Sequence, residues 1–389
     1  DILSWHRWLA AIFAASEFGS ADHVLRLFNS ADDRSGAFSL APGALLKFCL
    51  LYGPESSVPL DLDRLWQLNP VLAVGLAMAL VSPRFLGSRQ AHDKRELILP
   101  WLTLKLTDLD SFAGLPVNIL HDVYMHCSYA HAPQRHAVKR PINRLIQLWL
   151  QEAEREGVLQ PTDPSAVAVP ARPVMLVVLE WFTSSHSIYR THSLTLEAAR
   201  SQFELIGLAR AGCVDAQTSQ VFHRLIPLPD GAMQEQLQAV AAVCRREAVA
   251  VLYMPSVGMD PLTIFLANWR LAPLQVAALG HPATTHAQEL DGVLVEADYL
   301  QEPACFSEPI LRLPADGMPY RPTAPMEAAV LQPRPADPRL DGVVHLAVCA
   351  SSMKLNPVFL ATCAQIASRA RCPTVFHFLV AGSLGLVHY

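Results

Sequence analysis

The sequence predicts an α/β protein whose first part is an all-α domain. Three observations carry this. Apolar residues from Ile2 to about Gly157 recur three and four apart, as in Trp5, Trp8, Leu9, Ile12 and Phe13, and again in Leu45, Leu46, Cys49 and Leu50. A stretch with Pro161, Pro164, Pro170 and Pro173 then interrupts the helical pattern. Beyond it, short apolar runs alternate with helical patterns, as βαβ units of a parallel sheet do.

Composition limits what such a chain does. Its 389 residues suffice for two or three domains, and 51% hydrophobic content with a mean hydropathy of +0.24 argues for filled cores. A net charge of -5 without a Lys/Arg block gives no footprint for nucleic acid. The eight cysteines form no C-x-x-C pair and lie mostly in apolar runs, which fits reduced thiols in a cytoplasmic protein. The longest apolar window, Val71 to Val81, lies between Pro70 and Pro83 and is too short to cross a bilayer, so it reads as a core helix. The chain opens on Asp1, and no basic segment precedes an apolar one as in a secretory signal.

In order, glycine and proline breaks cut the first 157 residues into several short helices. The segment His121 to Tyr129 is rich in hydrogen-bonding side chains, readable as buried, satisfied polar groups or as a cleft. After the linker a strand is expected at Val174–Leu179, then a polar loop to Ser193. Further expectations are a helix from about Leu196 to Phe203, a strand at Leu205–Leu208, a helix over Met233–Arg246 and a strand at Ala248–Tyr253. A strand from Leu274 ends near Gly280, and a short strand at Gly292–Val295 closes the domain. Pro314 to Pro338 reads as a second connector, followed by a strand at Val343–Ala350, a helix over Pro357–Ala370 and a strand at Thr374–Val380. Two strands and one helix leave apolar faces uncovered, which suggests a domain continuing past Tyr389.

Candidate chemistry collects where strands end, the position at which open α/β sheets bind ligands. One such loop carries His281, Thr284, Thr285 and His286; its alternative reading is an ordinary βα turn. The stretch after the first strand holds His186, Tyr189, Arg190 and His192 among six Ser and Thr hydroxyls, a set suited to a polyhydroxylated or anionic ligand. Ser351, Ser352 and Lys354 precede a helix, where free backbone N–H groups and a lysine favour a phosphate; a plain N-cap with a solvated lysine is the alternative. No H-E-x-x-H or other metal-ligand spacing occurs, and no G-x-G-x-x-G follows a strand.

The motifs Gly280-His-Pro-Ala-Thr-Thr-His286, His186-Ser-Ile-Tyr-Arg-Thr-His-Ser193, Met254-Pro-Ser-Val-Gly-Met-Asp260, Cys305-Phe-Ser-Glu308 and Met353-Lys-Leu-Asn-Pro357, with His121 to Tyr129, resemble the bacterial cytoplasmic N-glycosyltransferases that modify high-molecular-weight adhesins. That family is similar to the O-linked GlcNAc transferases in its catalytic half. The resemblance implies a GT-B type architecture: an all-α domain at 1–157, a linker at 158–172, a Rossmann-like acceptor-side domain at 173–340, and the start of a nucleotide-binding Rossmann-like domain at 341–389. It further implies metal-independent transfer of a hexose from UDP-glucose or UDP-galactose to Asn in Asn-X-Ser/Thr, with no other cofactor.

Carried onto this sequence, the resemblance implies catalytic roles for His281, His186 and Lys354. Lys354, Ser351, Ser352, His281, Thr284 and Thr285 would bind the UDP-sugar, and His186, Tyr189, Arg190 and His192 would face the acceptor. Trp181 and Thr183 stand where relatives tend to carry histidines, and the uracil and ribose contacts of the family are expected beyond residue 389. The alternatives are a truncated, inactive binding module and an O-linked transferase acting on Ser or Thr.

Overall fold

A computed structural model describes residues 2–29, 38–161, 163–164, 171–300, 305–322 and 342–378. Most of the proline-rich linker, the 323–338 part of the second connector and the predicted strand end at 379–380 lie outside the described residues. The chain divides into two compact units, one of 1–105, 113–135 and 329–389, the other of 106–112 and 136–328.

The first unit contains helices α1 (His6–Ala14), α2 (Asp22–Phe28), α3 (Leu45–Leu51), α4 (Leu62–Leu68), α5 (Pro70–Val81), most of α6 (Arg89–Thr107) and α7 (Leu120–His126). The predicted core helix is α5. Pro70 occupies its first position, and Asn69 caps it by accepting from the Leu72 N–H at 3.0 Å. Every residue from Ala73 to Val81 is buried, so this helix is apolar on all sides rather than amphipathic. In the segment singled out for its polar side chains, His126 is buried and pairs with the Ser82 carbonyl at 2.6 Å, as a satisfied core histidine does.

The second unit includes α8 (Lys139–Arg155), a helix the sequence reading grouped with the all-α region. Seven parallel strands follow: β1 (Val174–Leu179), β2 (Glu204–Ala209), β3 (Arg224–Pro227), β4 (Val249–Met254), β5 (Leu274–Ala278), β6 (Gly292–Glu296) and β7 (Ile310–Leu313), in the order β3-β2-β1-β4-β5-β6-β7. This is the doubly wound order, with a seventh strand added at the edge. Central β4 is buried along its whole length, which explains its unbroken apolar run. Helices α9 (Ser187–Ala199), α10 (Met233–Arg246) and α11 (Pro261–Leu266) connect the strands.

Three expectations change. The polar stretch to Ser193 is already helical from Ser187: Ile188, Tyr189, His192, Ser193 and Leu196 form the buried stripe, and its polar members hide the period. The edge strand β3 escaped notice because its four residues are polar at one end and half-buried. Strand β6 does not close the sheet, because β7 pairs beyond it in a short segment with Arg312 at its centre.

After 341 the structure has β8 (Val344–Val348), α12 (Pro357–Arg369) and β9 (Thr374–Phe378). The two strands pair in parallel, and Val344, Leu346, Val375 and Phe378 are exposed.

Candidate functional site

In the doubly wound order the connections leave β1 and β4 in opposite directions, so the carboxyl ends of these neighbouring strands frame a crevice. The chain leaves β1 through Glu180 to His186 and leaves β4 through Pro255 to Asp260; one strand further along, β5 leads to Gly280 and His281.

Main-chain bonds join these loops. The Pro255 carbonyl accepts from the Gly280 N–H at 2.9 Å, and the His192 Nε2 lies 3.1 Å from the same oxygen. Gly280 has no room for a side chain: a Cβ there would lie 2.6 Å from the Pro255 oxygen and 2.8 Å from the Ser256 Cβ. The close approach explains the glycine that ends the apolar run. His281 follows directly and is buried, its carbonyl accepting from the Ala283 N–H at 2.8 Å.

His186 is the N-cap of α9, its Nδ1 accepting from the Ile188 N–H at 3.2 Å. An accepting Nδ1 assigns the neutral ring's proton to Nε2. Burial, then the nearby Arg190 guanidinium, holds the pKa below the usual histidine value, so the ring is neutral at pH 7. Trp181 stacks beside it with ring centres 6.1 Å apart.

The other residues expected on this segment are engaged elsewhere. Tyr189 is a core side chain, edge-on to Phe182 at 5.4 Å. Arg190 donates to the Ser185 carbonyl and the Tyr320 hydroxyl, both at 2.6 Å. His192 is buried, its pKa lowered to about 4 by burial, and it fastens α9 to the Pro255 carbonyl.

Thr284 and Thr285 are the points at which the loop is held. The buried Glu308 carboxylate accepts from the Thr284 hydroxyl at 2.8 Å, from the Thr285 N–H at 2.6 Å and from the Thr285 hydroxyl. From α8, the Lys139 ammonium donates to the Thr284 carbonyl at 2.8 Å and the Asn143 amide to the Thr285 carbonyl at 2.9 Å. A cavity of about 480 Å³ opens beside the far end of this loop, with Arg140, Gln147, His286 and Gln288 among its lining residues.

Sequence reasoning includes Glu308 in a motif and Glu180 at the start of the loop that runs to Ser193 without giving either a task, and it passes over Lys139 and Asn143. These residues stand far apart in sequence from the loops they hold, so no local spacing marks them.

Ser351, Ser352 and Lys354 belong to the other unit, in the connection from β8 to α12. A single 3-10 turn spans Ser352–Lys354, and Asn356 rather than a serine caps α12, accepting from the Phe359 N–H at 2.9 Å. Lys354 is exposed. Among the described residues, no group of three or more His, Cys, Asp or Glu is placed to hold a metal ion, and no helix is long and apolar enough to cross a membrane.

Fold and crevice together define an α/β protein of the doubly wound class with a helical region before its sheet. A family model described as HMW1 domain 2 matches residues 63–150. Over 394 aligned positions, 99% of this chain, it is 42% identical to the UDP-glucose:protein N-beta-glucosyltransferase of Actinobacillus pleuropneumoniae serotype 5b, and equally to that of serotype 7. The chain spans 62% of the length of each of these relatives. A solved mutant of the Thermobaculum terrenum O-GlcNAc transferase is 17% identical with a TM-score of 0.46, covering 87% of this chain and 66% of that one.

Proposed function

We propose that the protein carrying this chain is a cytoplasmic glycosyltransferase that moves a hexose from UDP-glucose, or from UDP-galactose, to the side-chain amide of Asn in Asn-X-Ser/Thr segments of proteins such as adhesins. The observation that carries this reading is 42% identity across 99% of the chain to enzymes named for glucosyl transfer from UDP-glucose to protein nitrogen.

In the proposed reaction the amide nitrogen attacks the anomeric carbon, the bond from that carbon to the diphosphate oxygen breaks, and the amide loses a proton. Lys354, with Ser351 or Ser352, steadies the departing UDP, whose charge grows as the bond breaks. His186 acts as a hydrogen-bond donor through Nε2, because its Nδ1 lone pair is used in capping α9. It therefore holds an oxygen of the sugar or phosphate, and taking up the amide proton falls to His281 or to solvent. No metal takes part in this scheme.

The test incubates purified protein with UDP-glucose or UDP-galactose and an Asn-X-Thr peptide, with and without EDTA. Addition of one hexose that survives EDTA supports the reading. A modified peptide only in the presence of divalent metal contradicts the metal-independent scheme, and no modification with either donor contradicts the proposal itself.

A further inference from the structure

Glu180 directly follows β1 at the switch point and is buried. Its Oε2 accepts from the Ser256 hydroxyl at 2.8 Å, and its Oε1 accepts from the Asp260 N–H at 3.0 Å and from the Thr263 hydroxyl. One carboxyl thus grips both ends of the loop that leaves β4 and the first turn of α11. The same loop carries the Pro255 carbonyl that receives Gly280 and His192, the residues that place His281 and α9.

We infer that Glu180 is a positioning residue, a carboxyl latch at the switch point that sets the Pro255–Asp260 loop and, through it, the placement of His281 and His186. The inference rests on the glucosyl-transfer reading for its consequence in activity, while the latch itself stands on the geometry alone.

The groups around it favour the protonated form. Burial, with the Asp260 carboxylate adding a smaller push, raises its pKa to about 8 against the pull of its three donors. Arg210 is paired with Asp260 and so offers Glu180 little compensation. Of the other titratable groups nearby, the Cys213 thiol is raised by burial and His192 is kept neutral by it, so neither brings a positive charge at neutral pH. A proton on Oε2 turns that oxygen into a donor toward Ser256, while Oε1 keeps its two bonds. Ionisation above pH 8 places a second carboxylate beside that of Asp260 in a buried site, which loosens the loop.

Glu180→Gln reproduces the protonated form, with Oε1 accepting and Nε2 donating to Ser256; Glu180→Ala removes the latch. Hydrogen exchange of the segments 255–263 and 279–283, corrected for intrinsic rates, is compared at pH 6.5 and 9 in the wild type and both variants. The latch predicts that the wild type loses protection about tenfold on going to pH 9. Glu180→Gln should stay protected at both values and Glu180→Ala at neither. Transfer activity should show an alkaline fall in the wild type that is absent in Glu180→Gln. If Glu180→Gln follows the wild type, or if Glu180→Ala folds and remains protected, the inference is overturned; should Glu180→Ala not fold, the comparison with Glu180→Gln decides. Exchange results as expected with no transfer by any form would remove the functional reading and keep the latch.

Discussion

Single residues carry the sharpest consequences of this structure. His186 does two things at once, capping a helix with Nδ1 and presenting Nε2–H. His186→Asn, which can still cap, should retain stability, whereas His186→Ala should lose about 1 kcal/mol. Both should lower transfer on the order of 10²-fold. Thermal melts and turnover measured on the same samples separate the two effects, and full activity in the Asn variant would leave the imidazole with a capping role only. Lys354→Ala should also reduce transfer by at least about 10²-fold, through loss of charge stabilisation of the leaving diphosphate; unchanged kcat would contradict that role.

Glu180 also makes a prediction about stability. Its folded pKa of about 8 lies above the ordinary 4.5, so the folded protein holds an extra proton between those values and stability must fall as pH rises through them. His192, lowered to about 4 from 6.5, has the opposite slope, and the two oppose each other below pH 6.5. Between pH 6.5 and 8 Glu180 acts without that opposition, and Lys94, lowered by burial to about 8, titrates only above it. The unfolding free energy from denaturant titrations in that window should fall by up to about 1.4 kcal/mol per pH unit in the wild type, and Glu180→Gln should flatten the slope. The histidines were legible in the sequence because they stand in conspicuous polar loops. Glu180 was not, because a carboxyl next to an apolar strand shows its burial only when the partner loop, some 80 residues on, folds against it.

At the scale of elements, the predicted strands and helices that matched are those with strong local signals. Strand β4 is a solid apolar run and α10 a regular amphipathic helix, and both appear within a residue of their expected bounds. Helix α9 was read too short because His192 and Ser193 lie on its buried face, where polar residues are unexpected until the Pro255 carbonyl and Arg321 supply partners. Strands β3 and β7 were missed because four-residue edge segments have too few positions to show alternation.

The loop from Gly280 to His286 depends on its supports. Gly280→Ala forces a Cβ against the backbone oxygen of Pro255, and the account expects a loss of about 1–3 kcal/mol in chemical denaturation. Glu308→Ala removes the carboxylate that accepts from Thr284 and Thr285, at a cost of about 1–3 kcal/mol. Burial raises the Glu308 pKa, but the Thr285 and Thr284 donors outweigh it and hold it below the usual glutamate value. Its contribution is therefore complete above that value and is lost as pH falls through the lowered one. A Glu308→Ala protein as stable as the wild type at pH 7 would contradict the supporting role.

For the whole molecule, the change from helical to alternating strand-and-helix pattern was legible because it follows hydrophobic period alone, whereas the sheet order was not, since β3 and β4 follow each other in the chain yet are separated in the sheet by β2 and β1. The grouping of α8 with the sheet was not legible: its amphipathic pattern says that one face is buried, and only Lys139 and Asn143 reaching Thr284 and Thr285 reveal against what. The most direct measurement is the identity of the modified residue. The protein is incubated with UDP-glucose and three peptides that differ only in presenting Asn-X-Thr, Gln-X-Thr or Ala-X-Thr, and fragmentation mass spectrometry locates the hexose. The account predicts a hexose on the Asn side chain of the first peptide and none on the third. A hexose on Thr, present equally in the Ala-X-Thr peptide, would contradict N-linked transfer and indicate an O-linked enzyme.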